Sequence, residues 1–285
     1  MDDRVADLQL HSSASDGSDD PSEVVRRAHS LGFSCVALTD HDTLGGVQEA
    51  VAAGQALGVE VLPACELSTL DAADRQIDLL AYGISLEDAE FSRLLLSLRE
   101  GRFGRAYMMV QRLKECGHQV SFDRVLEIAG GPENIGRPHV AKAMVEAGVV
   151  PDVKSAFTPE LILDGGRCYV QRVKISPEDA IARIHAAGGV AVAAHPGRTG
   201  LSDAEVAHFA ACGLDGIEVY YPQHDAAVTA RVAGLASKHG LLVTGGSDDH
   251  GDVNEGRLMG TIRLAYSHVT ALKAAMAARV VAARV

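Results

Sequence analysis

The side chains of this chain that could do chemistry recur at the ends of short apolar runs. DLQLHSSASDG carries Gln9, His11 and Asp16, and ALTDHDT carries Asp40 and His41. LPACELS carries Glu66, QIDLLAYG begins on Asp78, and VAAHPG ends on His195. Further on come Glu218 and His224 in GIEVYYPQH, then Asp248 and His250 in TGGSDDHG. Imidazoles and carboxylates are mixed and no cysteine stands among them. That donor set suits Mn, Fe, Zn or Mg and disfavours a thiolate zinc site. There are more candidate ligands than one ion needs. Several ions side by side suit phosphate-ester hydrolysis, because they lower the pKa of bound water and clamp both oxygens of an in-line displacement. Each piece alone has a blander reading. A lone His after a strand is commonly structural, TDHD and SDDH could be helix caps, and an Asp-Gly pair is an ordinary turn. Their repetition at successive run ends favours a shared site.

The runs themselves look like buried parallel strands, each followed by a polar turn and then a helical stretch. Candidates are Val5–Leu10, Cys35–Leu38, Val59–Pro63, Ile77–Tyr82, Val190–Ala194, Gly216–Val219 and Leu241–Thr244. Seven strands with helices between them predict a closed or nearly closed β/α barrel, whose C-terminal strand ends converge on one face. Ligands scattered along the chain would then meet in one cup. The rhythm breaks between Leu86 and Val170, where Leu86–Cys116, Phe122–Ala129 and His139–Ala147 read as helices separated by glycines. The predicted organisation is a barrel over 1–98 and 168–285 with a helical insertion over 99–167, of the kind that caps a site and selects its substrate. A last helix is expected over Thr270–Val285.

With 26 Lys and Arg against 38 Asp and Glu, the 285-residue chain carries a net charge of −12. That argues against duplex DNA or an anionic membrane as a partner, and any phosphate must be held locally. Such local charge is available in REGRFGRAYMM, where Arg99, Arg102 and Arg105 follow one another at i, i+3 spacing, and in IGRPH, with Arg137 and His139. Arg forks hold phosphate oxygens bidentately, although a solvated Arg face looks the same in sequence, above all at Arg99. Arg167 closes the insertion. Cys35, Cys65, Cys116, Cys168 and Cys212 form no CxxC pair and suggest no disulfide framework, so a cytoplasmic location is expected. The N-terminus shows no signal-like pattern, and no apolar run reaches membrane-spanning length.

Four of these segments resemble, in order, the motifs of the PHP (polymerase and histidinol phosphatase) family of metal-dependent phosphoesterases. DLQLHSSASDG is similar to its first motif, usually His-x-His followed by Ser-Asp-Gly; TDHDT, AHPG and GSDDH are similar to its second, third and fourth. The resemblance covers most of the chain outside the insertion. It implies an α/β fold, a distorted (β/α)7 barrel, with two or three divalent metals. One would be held by His11, Glu66 and Asp248, with Gln9 at the usual first histidine. A second would share Glu66 and take His195, with Asp78 where His is usual. A third would use Asp16, His41 and His250, with Asp40 orienting imidazoles. Gln9 and Asp78 depart from the pattern and shift the expected metal toward Mn, Mg or Fe over Zn. The insertion resembles that of the branch acting on nucleoside 3′,5′-bisphosphates or short RNA 5′ ends. The implied function is hydrolysis of a small nucleotide-type phosphate, with Arg102, Arg105, Arg137, His139 and Arg167 on the substrate. Asp40, His195 and His224 serve the chemistry, with His224 or a bound water as candidate acid. Alternatives are a histidinol-phosphate phosphatase and a non-catalytic nucleotide-binding domain.

Overall fold

The computed structural model describes residues 3–132, 135–171, 175–253 and 256–282. Eight strands form one sheet: β1 (Val5–Leu10), β2 (Cys35–Leu38), β3 (Glu60–Leu67), β4 (Leu79–Tyr82), β5 (Val190–Ala193), β6 (Gly216–Tyr220), β7 (Leu242–Gly245) and β8 (Leu264–Ala265). Their order is β7-β6-β5-β4-β3-β2-β1-β8. The sheet curls into a nearly closed barrel. Leu10 bridges Asp249, while His11 N donates to Asp249 O at 3.0 Å and Asp248 N to Gln9 O at 2.9 Å. The helices are α1 (Pro21–Ser30), α2 (Val47–Leu57), α3 (Ala89–Glu115), α4 (Phe122–Ala129), α5 (Arg137–Glu146), α6 (Pro177–Ala186), α7 (Pro196–Thr199), α8 (Asp203–Ala211), α9 (Ala226–His239) and α10 (Tyr266–Ala282). The apolar runs thus form the strands expected of them. Among the described residues no helix is long and apolar enough to cross a membrane.

Two features depart from a simple parallel barrel. β8, two residues long, pairs antiparallel with β1 and lies outside the seven expected strands. More consequentially, β4 is antiparallel to both β3 and β5. The reason is chain length: only residues 68–78 join β3 to β4, too few for the helical crossover that a parallel pair requires. Reversal puts the start of β4 beside the ends of its neighbours, with Leu79 opposite Leu67 and Ala193. Asp78, just before β4, therefore stands on the rim where the other strands finish.

A bulge completes the arrangement. The β1–β2 register shifts between Asp7 and Leu10. Leu8 packs with Ala37, Ala64 and Tyr82 inside the barrel, whereas Leu10 packs with Val24, Val25 and Leu38 under α1. Strict alternation would place both leucines on one face. The extra residue turns Leu10 outward and Gln9 and His11 inward, a common use of bulges beside sites.

The chain divides into two compact units, Met1–Arg93 with Lys174–Val285, and Leu94–Val173, the division falling within α3. The second unit has its own core, built from Val110, Leu113, Val125, Ile135, Val140 and Met144.

Candidate metal centre

In the barrel unit, the turn after β1 carries His11 and Asp16. Asp40, at the end of β2, anchors that turn: its carboxylate accepts from Ser12 N at 2.8 Å, Ser12 Oγ at 2.7 Å and Ser15 Oγ at 2.6 Å. Gly17 lies so close to the His11 carbonyl that a Cβ there would stand 2.7 Å from its oxygen, which bars any larger residue. Asp40 was expected to orient imidazoles; instead its oxygens are spent on the two serines, and it acts on His11 and Asp16 through the backbone.

Glu66 is the centre of the group. Fully buried on β3, it accepts from Gln9 Nε2 at 3.2 Å and lies 3.0 Å from His195 Nε2 and 3.2 Å from His11 Nε2. Asp248 Oδ1 stands 3.1 Å from the same His11 nitrogen, while His250 Nε2 is 3.4 Å from Asp16 and its Nδ1 bonds the Asp248 carbonyl. Three sets of donor atoms lie within 4.8 Å of one another: His11, Asp16, His41 and His250; His11, Glu66 and Asp248; Glu66, Asp78 and His195. His11 and Glu66 each belong to two sets, so the three are contiguous. Gln9 stands beside these sets, its amide nitrogen donating to Glu66 and its Oε1 buried without a hydrogen-bond partner.

The donors fit divalent cations. Both nitrogens of His11, Nδ1 of His41, Nδ1 of His195 and Oε1 of Gln9 are buried without a hydrogen-bond partner, a costly state for polar atoms unless something else satisfies them. The electrostatics agree. Burial pushes the Glu66 carboxyl up, but the His41 charge, the adjacent His11 ring and the bond to His195 hold it well below the usual range. Asp16 behaves likewise beside His41 and His250. Burial lowers His11 and His195, yet the carboxylates dominate: His11 is raised well above its ordinary value by Asp248 and Glu66, and His195 to about 9 by Glu66. The cluster thus attracts positive charge, protons included.

Backbone strain marks two of these positions. His195 (φ 27°) and Asp248 (φ 53°) adopt left-handed conformations that non-glycine residues avoid. Glu218 stabilises the first, accepting from His195 N at 2.8 Å from a fully buried position, where burial raises its own carboxyl well above normal.

His224 is placed differently from its expected role as acid. Its Nδ1 bonds Val219 O at 2.9 Å and its Nε2 accepts from Gly197 N at 3.0 Å, so both ring nitrogens brace the turn after His195. Burial lowers its pKa, which favours the neutral ring that this pattern needs. Two residues that the sequence motifs do not single out flank the centre instead. Tyr221 Oη donates to Asp248 Oδ2 at 2.9 Å, and the half-exposed Arg198 donates to Tyr221 Oη at 3.2 Å and lies 3.7 Å from Asp248. The faint sequence signal was the Arg three positions after His195 in HPGR.

The other candidate substrate residues belong to the Leu94–Val173 unit. Arg102 and Arg105 lie on α3. Arg105 Nε donates to Val170 O at 2.6 Å, and its guanidinium lies 5.0 Å from the Tyr169 ring centroid. Arg137 pairs with Asp164 and lies 5.7 Å from the same ring. His139 accepts from Gly136 N at 3.1 Å, capping α5, and Arg167 N donates to Pro159 O at 2.8 Å.

Comparison with known proteins agrees with this geometry. Residues 7–131 match the PHP domain. The chain is 36% identical to a 3′,5′-nucleoside bisphosphate phosphatase of Chromobacterium violaceum, over 89% of this chain and 90% of that one. It is 33% identical to a phosphoribosyl 1,2-cyclic phosphate 1,2-diphosphodiesterase of Eggerthella lenta, over 87% and 94%. A crystal structure from Bifidobacterium adolescentis, of a protein assigned as a metal-dependent phosphoesterase, superposes with a TM-score of 0.85 at 33% identity over 96% of each chain. A fold shared along nearly its whole length, together with a rim of contiguous imidazole and carboxylate donors, makes this chain a member of the PHP-domain family of metal-dependent phosphoesterases.

Proposed function

We propose that this enzyme hydrolyses a phosphate monoester of a small nucleotide-type substrate, such as a nucleoside 3′,5′-bisphosphate or the 5′ end of a short RNA. The observation that carries the reading is the run of three contiguous donor sets sharing His11 and Glu66. When bound there, divalent cations would supply Lewis acidity and a nucleophile near neutral pH. The residues holding them would be His11, Glu66 and Asp248; Glu66, Asp78 and His195; and Asp16, His41 and His250. Gln9 steadies Glu66 through its amide, and Tyr221 fixes the free oxygen of Asp248. Arg198, half-exposed beside Asp248, is positioned to hold non-bridging phosphate oxygens. Arg102, Arg105, Arg137, His139 and Arg167 are proposed to bind the remainder of the substrate. Mn is the favoured metal, because Asp78 gives its set two carboxylates and one imidazole. The compartment is proposed to be a reducing cytoplasm, in keeping with five free thiols.

The C. violaceum relative supports the bisphosphate reading and the E. lenta relative a cyclic phosphodiester. A panel assay with Mn-loaded enzyme separates them: adenosine 3′,5′-bisphosphate, a 5′-phosphorylated oligoribonucleotide, ribose 1,2-cyclic phosphate and histidinol phosphate. The highest kcat/KM is expected on adenosine 3′,5′-bisphosphate. Preference for histidinol phosphate, or no turnover of any of the four by metal-replete protein, overturns the proposal.

A further inference from the structure

Two cysteines 52 residues apart in sequence meet in the Leu94–Val173 unit. Cys116 follows the last residue of α3 and is partly exposed; Cys168 is buried. The Cys168 thiol donates to Cys116 Sγ at 3.5 Å and also lies 3.8 Å from Glu160 O. The remaining thiols are unlike them. Cys35 and Cys65 are buried in the barrel, where burial pushes Cys35 to about 12 and Cys65 well above its ordinary value, and Cys212 is exposed. We infer that Cys116 and Cys168 are a reversible dithiol–disulfide pair, a modification site whose oxidant is a small-molecule disulfide such as glutathione disulfide.

The partly exposed thiol is the one an oxidant can reach. Cys116, as thiolate, attacks one sulfur of glutathione disulfide; the S–S bond breaks, one glutathione leaves as thiolate, and a mixed disulfide remains on Cys116. Cys168 then loses its proton to solvent and attacks Cys116 Sγ, expelling the second glutathione. The two protein thiols lose two electrons and two protons, and glutathione disulfide gains both to become two glutathione thiols. The sulfurs must approach from 3.5 Å to a bond of about 2.05 Å, a movement that Cys116 can supply because it lies past the end of α3. Burial and the neighbouring sulfur push the Cys168 thiol up to about 11, but its sulfur lies 3.5 Å from Cys116, so the second step is intramolecular and the mixed disulfide does not accumulate. Closure would tie the end of α3 to the strip Cys168–Val170, whose carbonyls at Tyr169 and Val170 accept from Arg112 and Arg105.

The test treats the full-length reduced protein with glutathione disulfide, alkylates with iodoacetamide and maps non-reduced peptides by mass spectrometry. Expected are a single cross-linked pair joining Cys116 to Cys168, two fewer alkylated sites, and full reversal by dithiothreitol. In Cys168→Ser the mixed disulfide should persist on Cys116. A stable glutathione adduct on wild-type Cys116, pairing with Cys212, or alkylation of both thiols after prolonged oxidation overturns the inference.

Discussion

At the scale of single residues, Glu66 sets the character of the centre, because three side chains from other elements reach its two oxygens. On the proposed reading, Asp78 would tune which ion fits best. Replacing its carboxylate by imidazole makes that donor set softer. Asp78→His is therefore expected to raise the Zn:Mn ratio retained after dialysis against equal amounts of both, measured by elemental analysis; an unchanged ratio means Asp78 does not face the ion. The imidazoles also make binding depend on pH. His195, raised to about 9 by Glu66, and His11, raised well above its ordinary value by Asp248 and Glu66, hold protons in the metal-free protein that a cation must displace. Mn affinity should rise with pH through neutrality to at least about 9, where His195 has lost its proton, and binding at neutral pH should release protons. Calorimetry in buffers of different ionisation enthalpy would report this, and identical heats would contradict it. Most donors at this scale were legible because each closes its own strand run. Arg198 and Tyr221 were not, since their tie to Asp248 joins segments that follow β5, β6 and β7.

At the scale of elements, caps and connections hold the rim in place. α8 begins with a reciprocal cap: Glu205 N donates to Ser202 Oγ at 3.3 Å and Ser202 N to Glu205 Oε2 at 2.8 Å. Those Ser202 bonds, with help from Arg75, lower the Glu205 carboxyl to about 2. Its folded pKa lies below its unfolded value of 4.5, so the stabilisation is present above 4.5 and is lost as pH falls toward 2. Because the side chain is about a third exposed, only part of that shift counts as stability. Glu205→Ala should cost about 1 kcal/mol at neutral pH, and the gap from wild type should shrink as acid is added. Denaturant midpoints at several pH values would check this, and a constant gap would assign the loss to packing. The direction of β4 also belongs to this scale. In sequence β4 reads as one more parallel strand, although the helix-free link 68–78 already carries the contrary signal.

At the scale of the molecule, an acidic protein has gathered four carboxylates and four imidazoles at one barrel rim, where cations would take the place of the protons the imidazoles hold. Each site saturated at about a hundred times its Kd contributes about 2.7 kcal/mol. Loss of even one such ion on chelation is therefore expected to lower the thermal midpoint by roughly 5–10 °C, with recovery on adding Mn. An unchanged midpoint would mean that the rim binds no cation tightly. The barrel class, the strand spans and the donor types could all be read directly from the chain, because alternation, turn chemistry and side-chain identity act between near neighbours. Closure decided the rest. The reversed β4 that brings Asp78 to the rim, the bulge that turns His11 inward, the serines that occupy Asp40, the bracing bonds that engage His224 and the meeting of Cys116 with Cys168 all depend on contacts between segments distant in sequence, and such contacts exist only once the chain has folded.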